Sequence, residues 1–263
     1  MTPLPRALVR GVDVVNRRGK SLGARLVKLT GKRPYAIHPK HLIDDPWHDW
    51  YLPHLTGRER VVDVGCSNGG HLVRAATRSR LIVGFDYDVA QLAIAARAVR
   101  ERSLTNARLF AWDVTRAWPF PDASFDAALF LDVIEHLVPR QAVLGEIHRI
   151  LRDDGRLFVS APNRATRWRQ TLRDAGLFSF SDADHKVEYT RDEFLAELRA
   201  GGFEPRGALM PVVLDTPWAG VIDAIGGVSL SLYARLSRWK REAAQRRPEE
   251  STGFRVIAVK RRP

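Results

Sequence analysis

The chain has 263 residues, 45% of them apolar and 27% charged, enough for one large α/β domain or two small ones, with a core that needs no disulfide or structural metal. Its single cysteine, Cys66, excludes a disulfide-stapled fold, and the composition excludes collagen-like, coiled-coil and disordered classes. Lys and Arg number 42 against 30 Asp and Glu, a net charge of +12.

That charge is unevenly placed. Residues 1–40 hold ten basic residues (Arg6, Arg10, Arg17, Arg18, Lys20, Arg25, Lys28, Lys32, Arg33, Lys40) against Asp13 alone. A second cluster runs Arg235, Arg238, Lys240, Arg241, Arg246, Arg247, and the chain closes on Lys260-Arg261-Arg262. Such flanks suit a polyanionic partner: a phosphorylated substrate, nucleic acid or an anionic membrane surface. A solvated face in an arginine-rich protein reads the same way. No run of about 18 uncharged apolar residues is present to span a membrane, and residues 1–20 lack the apolar stretch of a secretory signal. The expected compartment is a reducing cytoplasm, with a peripheral membrane position open.

Taken in chain order, residues 1–55 read as a basic N-terminal extension or cap, with Trp47, Trp50 and Tyr51 expected to pack over the domain that follows. From residue 56 short apolar runs alternate with helical stretches. Residues 60–65 are a buried strand, followed by a Gly-rich turn and a helix over 70–77. Residues 81–86 are a second strand, followed by an alanine-rich helix over 89–100. Residues 107–112 are a third strand, and 125–131 a fourth, set off by Pro119 and Pro121. A helix over 142–151 ends at Gly155, and 156–160 is a fifth strand. Residues 211–250 resemble a helical insertion or lid near the C-terminus, and 253–259 form the last strand. Apolar strands separated by helices predict a doubly wound α/β fold, a Rossmann-like sheet with helices on both faces and its ligand beyond the carboxyl ends of the strands.

The sharpest feature is Asp63-Val64-Gly65-Cys66-Ser67-Asn68-Gly69 at the end of the first strand. Glycines there let a ligand approach the backbone. The spacing differs from the G-x-G-x-x-G of pyrophosphate-binding loops, and a carboxylate at Asp63 suits a ligand bearing an ammonium group. Asp86, 23 residues further on, ends the second strand where an acid can accept ribose hydroxyls; its other reading is a helix N-cap, a role that Asp88 fills better. Asp113 follows the third strand, within reach of an adenine amino group. Three acids at three adjacent strand ends make a pocket for an aminoacyl-bearing nucleoside.

These motifs, with Trp112-Asp113-Val114, Asp132-Val133-Ile134-Glu135-His136 after the fourth strand, and Leu151 to Leu157, resemble the class I S-adenosylmethionine-dependent methyltransferases, in the family's order over roughly residues 58–205. Ser67 departs from the pattern, which usually has glycine there. The resemblance implies a methyltransferase of that fold that binds S-adenosylmethionine. Gly65, Cys66, Ser67 and Gly69 would form the loop against its methionine part, and Asp63 would position the amino group. Asp86, with Tyr87 beside it, would hold the ribose; Asp113 and the Val114 amide would read the adenine, and Leu131 would support the cofactor from the fourth strand.

Asp132, Glu135 and His136 stand at i, i+3 and i+4, expected to share one face of a helix. They resemble the Glu-x-x-Glu-His metal motif of ubiquinone-biosynthesis O-methyltransferases and small-RNA 2′-O-methyltransferases, with Asp132 in place of the first glutamate. His185 matches a further histidine of the small-RNA enzymes. Two carboxylates and two imidazoles would suit a divalent ion. The alternatives are that His136 or His185 serves as a general base without metal, or that the Glu-His pair merely orients the loop. Asn163, at the end of the fifth strand, is expected either to contact the acceptor or to serve a turn. The reading is methyl transfer to a hydroxyl of a small or lipid-linked molecule (a sugar, isoprenoid or secondary metabolite). Its rivals are a 2′-O-methyltransferase acting on RNA and a non-catalytic cofactor-binding module.

Overall fold

The computed structural model describes residues 5–30, 39–42 and 46–261. Lys32, Arg33 and Arg262 of the basic clusters therefore lie outside the described residues. In chain order the elements are α1 (Arg6–Thr30), β1 (Arg60–Val64), α2 (Gly70–Ala75), β2 (Leu81–Asp86), α3 (Val89–Glu101), β3 (Ala107–Ala111), β4 (Phe125–Leu131), α4 (Arg140–Ile150), β5 (Leu151–Pro162), α5 (Arg167–Asp174), α6 (Arg191–Ala200), β6 (Phe203–Pro211), α7 (Ala219–Val228), α8 (Leu230–Arg246) and β7 (Gly253–Lys260), with short 3₁₀ turns between several of them. The chain divides into two compact units. One comprises the residues within 46–161, 184–209 and 255–263, and the other those within 1–45, 162–183 and 210–254.

The larger unit carries the sheet, in the order β3-β2-β1-β4-β5-β7-β6. β1 to β5 pair in parallel, Asp63 lying opposite Gly84, Asp86 opposite Ala111 and Leu131 opposite Ser160. Chain order reverses between β1 and β4, which makes that gap the switch point where doubly wound sheets bind ligands. The strands are apolar because both faces are covered: Val61, Val62, Val64, Ala127, Leu129 and Phe158 are essentially inaccessible, each larger side chain contributing about 1.5–3 kcal/mol on burial. Tyr51 joins this core and Trp50 packs against it, as expected for those aromatics. α3 starts where Asp88 Oδ1 accepts the amides of Ala90 and Gln91, leaving Asp86 out of the cap. β5 begins at Leu151, five residues before the expected strand, because Leu151 pairs with Phe125 ahead of a register shift.

The smaller unit is helical. The insertion forms α7 and α8, and α1 crosses α7 at glycines. A Cβ on Gly220 would stand 1.7 Å from the Asn16 carbonyl oxygen, so only glycine permits this approach. The Gly220 amide donates to Asn16 Oδ1 at 2.6 Å, which satisfies a buried polar side chain in the crossing.

Candidate active site

Each of β1 to β4 delivers one acidic residue at or just past its carboxyl end: Asp63, Asp86, Asp113 and Asp132. After β1 the chain turns through three positive φ angles, 69° at Gly65, 45° at Ser67 and 75° at Gly69. The turn closes with the Gly69 amide donating to the Cys66 carbonyl at 2.9 Å, while the Cys66 amide donates to Phe85 of β2 at 3.0 Å. An L-residue in this region is strained, which explains the family's glycine at the position of Ser67. A Cβ on Gly65 would meet the Val133 side chain at 2.9 Å; the β1 and β4 loops thus touch at the switch point.

Asp63 is 3% exposed, and its Oδ2 has no hydrogen-bond partner among the described residues. Burial, reinforced by the Asp86 charge, pushes its carboxyl up to about 7. Asp86 is also buried, but each of its oxygens accepts a backbone amide: Oδ2 from Ser67 at 2.8 Å and Oδ1 from Asp88 at 2.9 Å. It ties the Gly-rich loop to β2, and each oxygen keeps a lone pair for a further donor. Tyr87 beside it is exposed. The Cys66 thiol is pushed up by burial and by the charges of Asp63 and Asp86, which makes it a packing residue of the loop and a poor nucleophile. Asp113 Oδ1 accepts the amide and hydroxyl of Thr115 at 2.9 and 2.8 Å, which hold its carboxyl below the ordinary range. Val114 is buried, and its carbonyl accepts Trp118 Nε1 at 3.0 Å. Leu131 is half-buried against the core.

Sequence reasoning missed two residues near Asp63. The Tyr51 hydroxyl lies 3.0 Å from His71 Nδ1, and its phenol is pushed well up by burial first, then by Asp63 and Asp49. Nothing in the spacing of residues 51, 63 and 71 announces that contact.

The second cluster follows β4, and here the expected geometry needs correction. Asp132, Glu135 and His136 do not share a helix face. Asp132 has a φ of 55°, and only Ile134–His136 form a turn, of 3₁₀ type. The left-handed Asp132 redirects the chain before the turn starts. Its Oδ1 accepts the Ser160 hydroxyl at 2.6 Å, and its amide donates to Ser160 Oγ at 3.0 Å. Glu135, His136 and His185 do converge, one ligand-type atom of each lying within 4.8 Å of the others, and Asp132 is not in that group. The rings of His136 and His185 stand 4.7 Å apart, edge to face. His185 reaches this place because the amides of Lys186 and Val187 donate to the Glu135 carbonyl, at 2.7 and 3.3 Å.

Glu188 is the third missed residue. Its Oε1 lies 2.8 Å from His185 Nδ1, and its side chain is fully buried; the i, i+3 spacing of His185 and Glu188 was the available signal. Glu135 is 2% exposed, and its Oε2 has no hydrogen-bond partner among the described residues. Burial first, then Asp132 and Glu188, drive its carboxyl well above the ordinary range. The buried Glu135 carboxylate with the imidazoles of His136 and His185 is a donor set that fits a cation.

Asn163 is not available to an acceptor. In the helical unit its Nδ2 donates to the carbonyls of Glu249 and Ser251 at 3.0 and 2.9 Å, and its Oδ1 accepts the Ala165 amide at 2.8 Å. Of its two readings the structural one holds: both amide protons are spent on backbone.

Residues 62–159 match the family model described as Methyltransferase domain. This segment is a methyltransferase domain, on the sheet fold of S-adenosylmethionine-dependent methyltransferases of known structure. Among curated relatives, the chain is 28% identical over 161 residues to the 27-O-demethylrifamycin SV methyltransferase of Amycolatopsis mediterranei, covering 59% of this chain and 57% of that protein. It is 32% identical over 185 residues to a Mycobacterium tuberculosis protein named as a probable S-adenosylmethionine-dependent methyltransferase, covering 68% of this chain and 62% of the relative. The chain thus spans about three-fifths of the length of these relatives. The fold is also that of the 1,6-didemethyltoxoflavin-N1-methyltransferase of Burkholderia thailandensis, solved with bound S-adenosylhomocysteine, at a TM-score of 0.54 and 18% identity over 82% of this chain and 77% of that one.

Proposed function

We propose that this chain transfers the methyl group of S-adenosylmethionine to a hydroxyl of a small or lipid-linked molecule, a sugar, isoprenoid or secondary metabolite. The cofactor supplies a methyl already activated on a sulfonium, so aligning the acceptor with it can contribute about 7–11 kcal/mol. Asp63, with its unpartnered buried oxygen, faces the ammonium; Gly65, Cys66, Ser67 and Gly69 provide the close loop. Asp86 and Tyr87 serve the ribose, Asp113 and the Val114 amide the adenine, and Leu131 the underside.

One observation carries the choice of a hydroxyl acceptor: His185 Nδ1 against the buried Glu188 carboxylate at 2.8 Å, with His136 alongside. A hydroxyl needs its proton removed as the methyl arrives, and an imidazole oriented by a carboxylate is the group that does so. In this reading His185 takes the proton at Nε2, Glu188 positions the ring and stabilises the imidazolium, and His136 orients the acceptor. Proton transfer of this kind is worth roughly 10²–10⁴-fold in rate. With an acceptor found by mass gain in metabolite extracts, His185→Ala is expected to lower kcat by that factor while cofactor affinity stays put. Full turnover in the variant would refute the assignment.

A second reading is favoured by Glu135. Its unpartnered buried oxygen, next to His136 and His185, would hold a divalent ion that draws the acceptor oxygen towards its alkoxide form. Turnover that survives chelation excludes this reading and leaves the histidine base. The RNA alternative predicts binding that falls steeply with salt; salt-insensitive or absent RNA binding removes it. Tight cofactor binding with no acceptor across such extracts would favour the non-catalytic module.

A further inference from the structure

The described residues include thirteen exposed large apolar side chains, and ten of them belong to the helical unit. Four stand on α1 at intervals of seven: Leu8, Val15, Leu22 and Leu29, at 54%, 50%, 49% and 81% exposure. Seven residues advance an α-helix by nearly two full turns, so these four form one lengthwise stripe. It is distinct from the face that α1 buries, where Val9, Asn16, Gly23 and Val27 lie. Exposed Arg18 and Arg25 flank the stripe, and the helix holds seven basic residues against Asp13 alone, itself paired with Arg17 at 2.7 Å. α8 of the same unit repeats the device in shorter form. Leu232 and Trp239, also seven apart, are 42% and 46% exposed beside exposed Arg235 and Arg238.

Water-exposed leucines in a row call for a covering surface, and the charge selects among the candidates. A second copy of the chain would bring α1 against α1, or α1 against an equally basic α8, with almost no acidic residue to offset the like charges. Nucleic acid would satisfy the arginines and leave the aliphatic stripe in water, since bases stack on aromatic rings. An anionic bilayer satisfies both at once: the stripe enters the headgroup–acyl boundary and the arginines meet lipid phosphates. No helix of the described residues is long and apolar enough to cross a membrane, so the contact is interfacial.

We propose that α1, supported by α8, is a docking face for anionic membrane surfaces. The inference rests on the helical unit alone and stands whether or not the reading of the methyltransferase site does. It is tested on the full chain by co-sedimentation with vesicles of phosphatidylcholine, with and without phosphatidylserine. Binding is expected only with the anionic lipid. Arg18→Glu and Arg25→Glu should each weaken it by about fivefold or more. Val15→Ser with Leu22→Ser, both at exposed positions, should weaken it about tenfold while circular dichroism and melting stay unchanged. Failure to bind anionic vesicles overturns the proposal. So does retention of binding by the serine variant, above all if light scattering shows it converting a dimer into monomers, which would make the stripe a contact between copies.

Discussion

Replacing Asp63 by Asn separates what that carboxylate costs the fold from what it does for a ligand. In the folded protein Asp63 ionises near 7, against an ordinary 3.8, because it is buried next to Asp86. The unfolded chain releases this proton first. Raising the pH between the two values therefore favours the unfolded state, at about 1.4 kcal/mol per pH unit. Over the whole interval the group removes about 4 kcal/mol of stability, of which about 2 kcal/mol falls between pH 5.5 and 8. The Asp63→Asn variant keeps the shape and has no charge to bury. Any constant cost of its amide is the same at both pH values and drops out of the comparison. Urea unfolding of cofactor-free protein should show the variant gaining about 2 kcal/mol on the parent from pH 5.5 to 8. A stability difference that stays flat across that range would refute the reasoning. Calorimetry supplies the other half. A lost hydrogen bond to a charged group costs about 1.5–3 kcal/mol, so cofactor affinity should fall at least tenfold, and unchanged affinity would take Asp63 out of the pocket.

Asp86→Ala should weaken cofactor binding without unfolding the protein, and because Asp86 helps raise Asp63, the pH dependence of stability should flatten; an unchanged pH profile would show that the two acids do not interact. Ser67→Gly relieves a left-handed residue worth about 1–2 kcal/mol against a glycine entropy cost of about 0.5–1 kcal/mol, so melting should hold or rise by a few degrees, and a lower melting temperature would contradict the strain. Gly220→Ala places a methyl on the Asn16 carbonyl and should cost about 1–3 kcal/mol or more; limited proteolysis should then cut α1 first, and an unaltered pattern would show that the crossing yields easily.

β1, β2, β4 and β5 were legible because they are buried along most of their length and so read as apolar runs; β6, half-buried and exposed at Arg206 to Ala208, carries no such run and was not expected. Asp63, Asp86 and Asp113 were legible because the residue that leaves an apolar strand is displayed at the edge where ligands bind. The arrangement after β4 was not. Asp132, Glu135 and His136 have helical spacing, and only the backbone shows Asp132 in a left-handed conformation, with its carboxylate taken by Ser160 from the neighbouring strand. Spacing records distance along a helix and is silent on whether a helix exists. Tyr51 was missed for a related cause, since its contact is with His71 in another segment of the sheet unit, whereas Glu188 stands three residues from His185 and its spacing was there to be read. For Asn163 the sequence left two readings open, and only the structure shows its amide consumed by the backbone of Glu249 and Ser251.

The two acidic clusters of the sheet unit share a physical condition. In each, a buried carboxylate is raised by its own desolvation and by a neighbouring acid: Asp63 by Asp86, Glu135 by Asp132 and Glu188. Each also keeps one oxygen without a hydrogen-bond partner among the described residues. A fold selected for stability alone would replace such groups with apolar side chains of similar volume. Their presence together points to positive charge arriving at both places, an ammonium at the first and a proton or cation at the second. Binding of an ammonium or a metal cation at either place should then be coupled to proton release from the acid it meets. For Asp63, whose ionisation lies near 7, that release is measurable: calorimetric titrations of cofactor at pH 6 in buffers of different ionisation enthalpy should give different heats, and at pH 9, where a free amino group is largely neutral and must gain a proton to bind as ammonium, the buffer dependence should change sign. Heats independent of buffer at both pH values would mean that the cofactor does not meet Asp63.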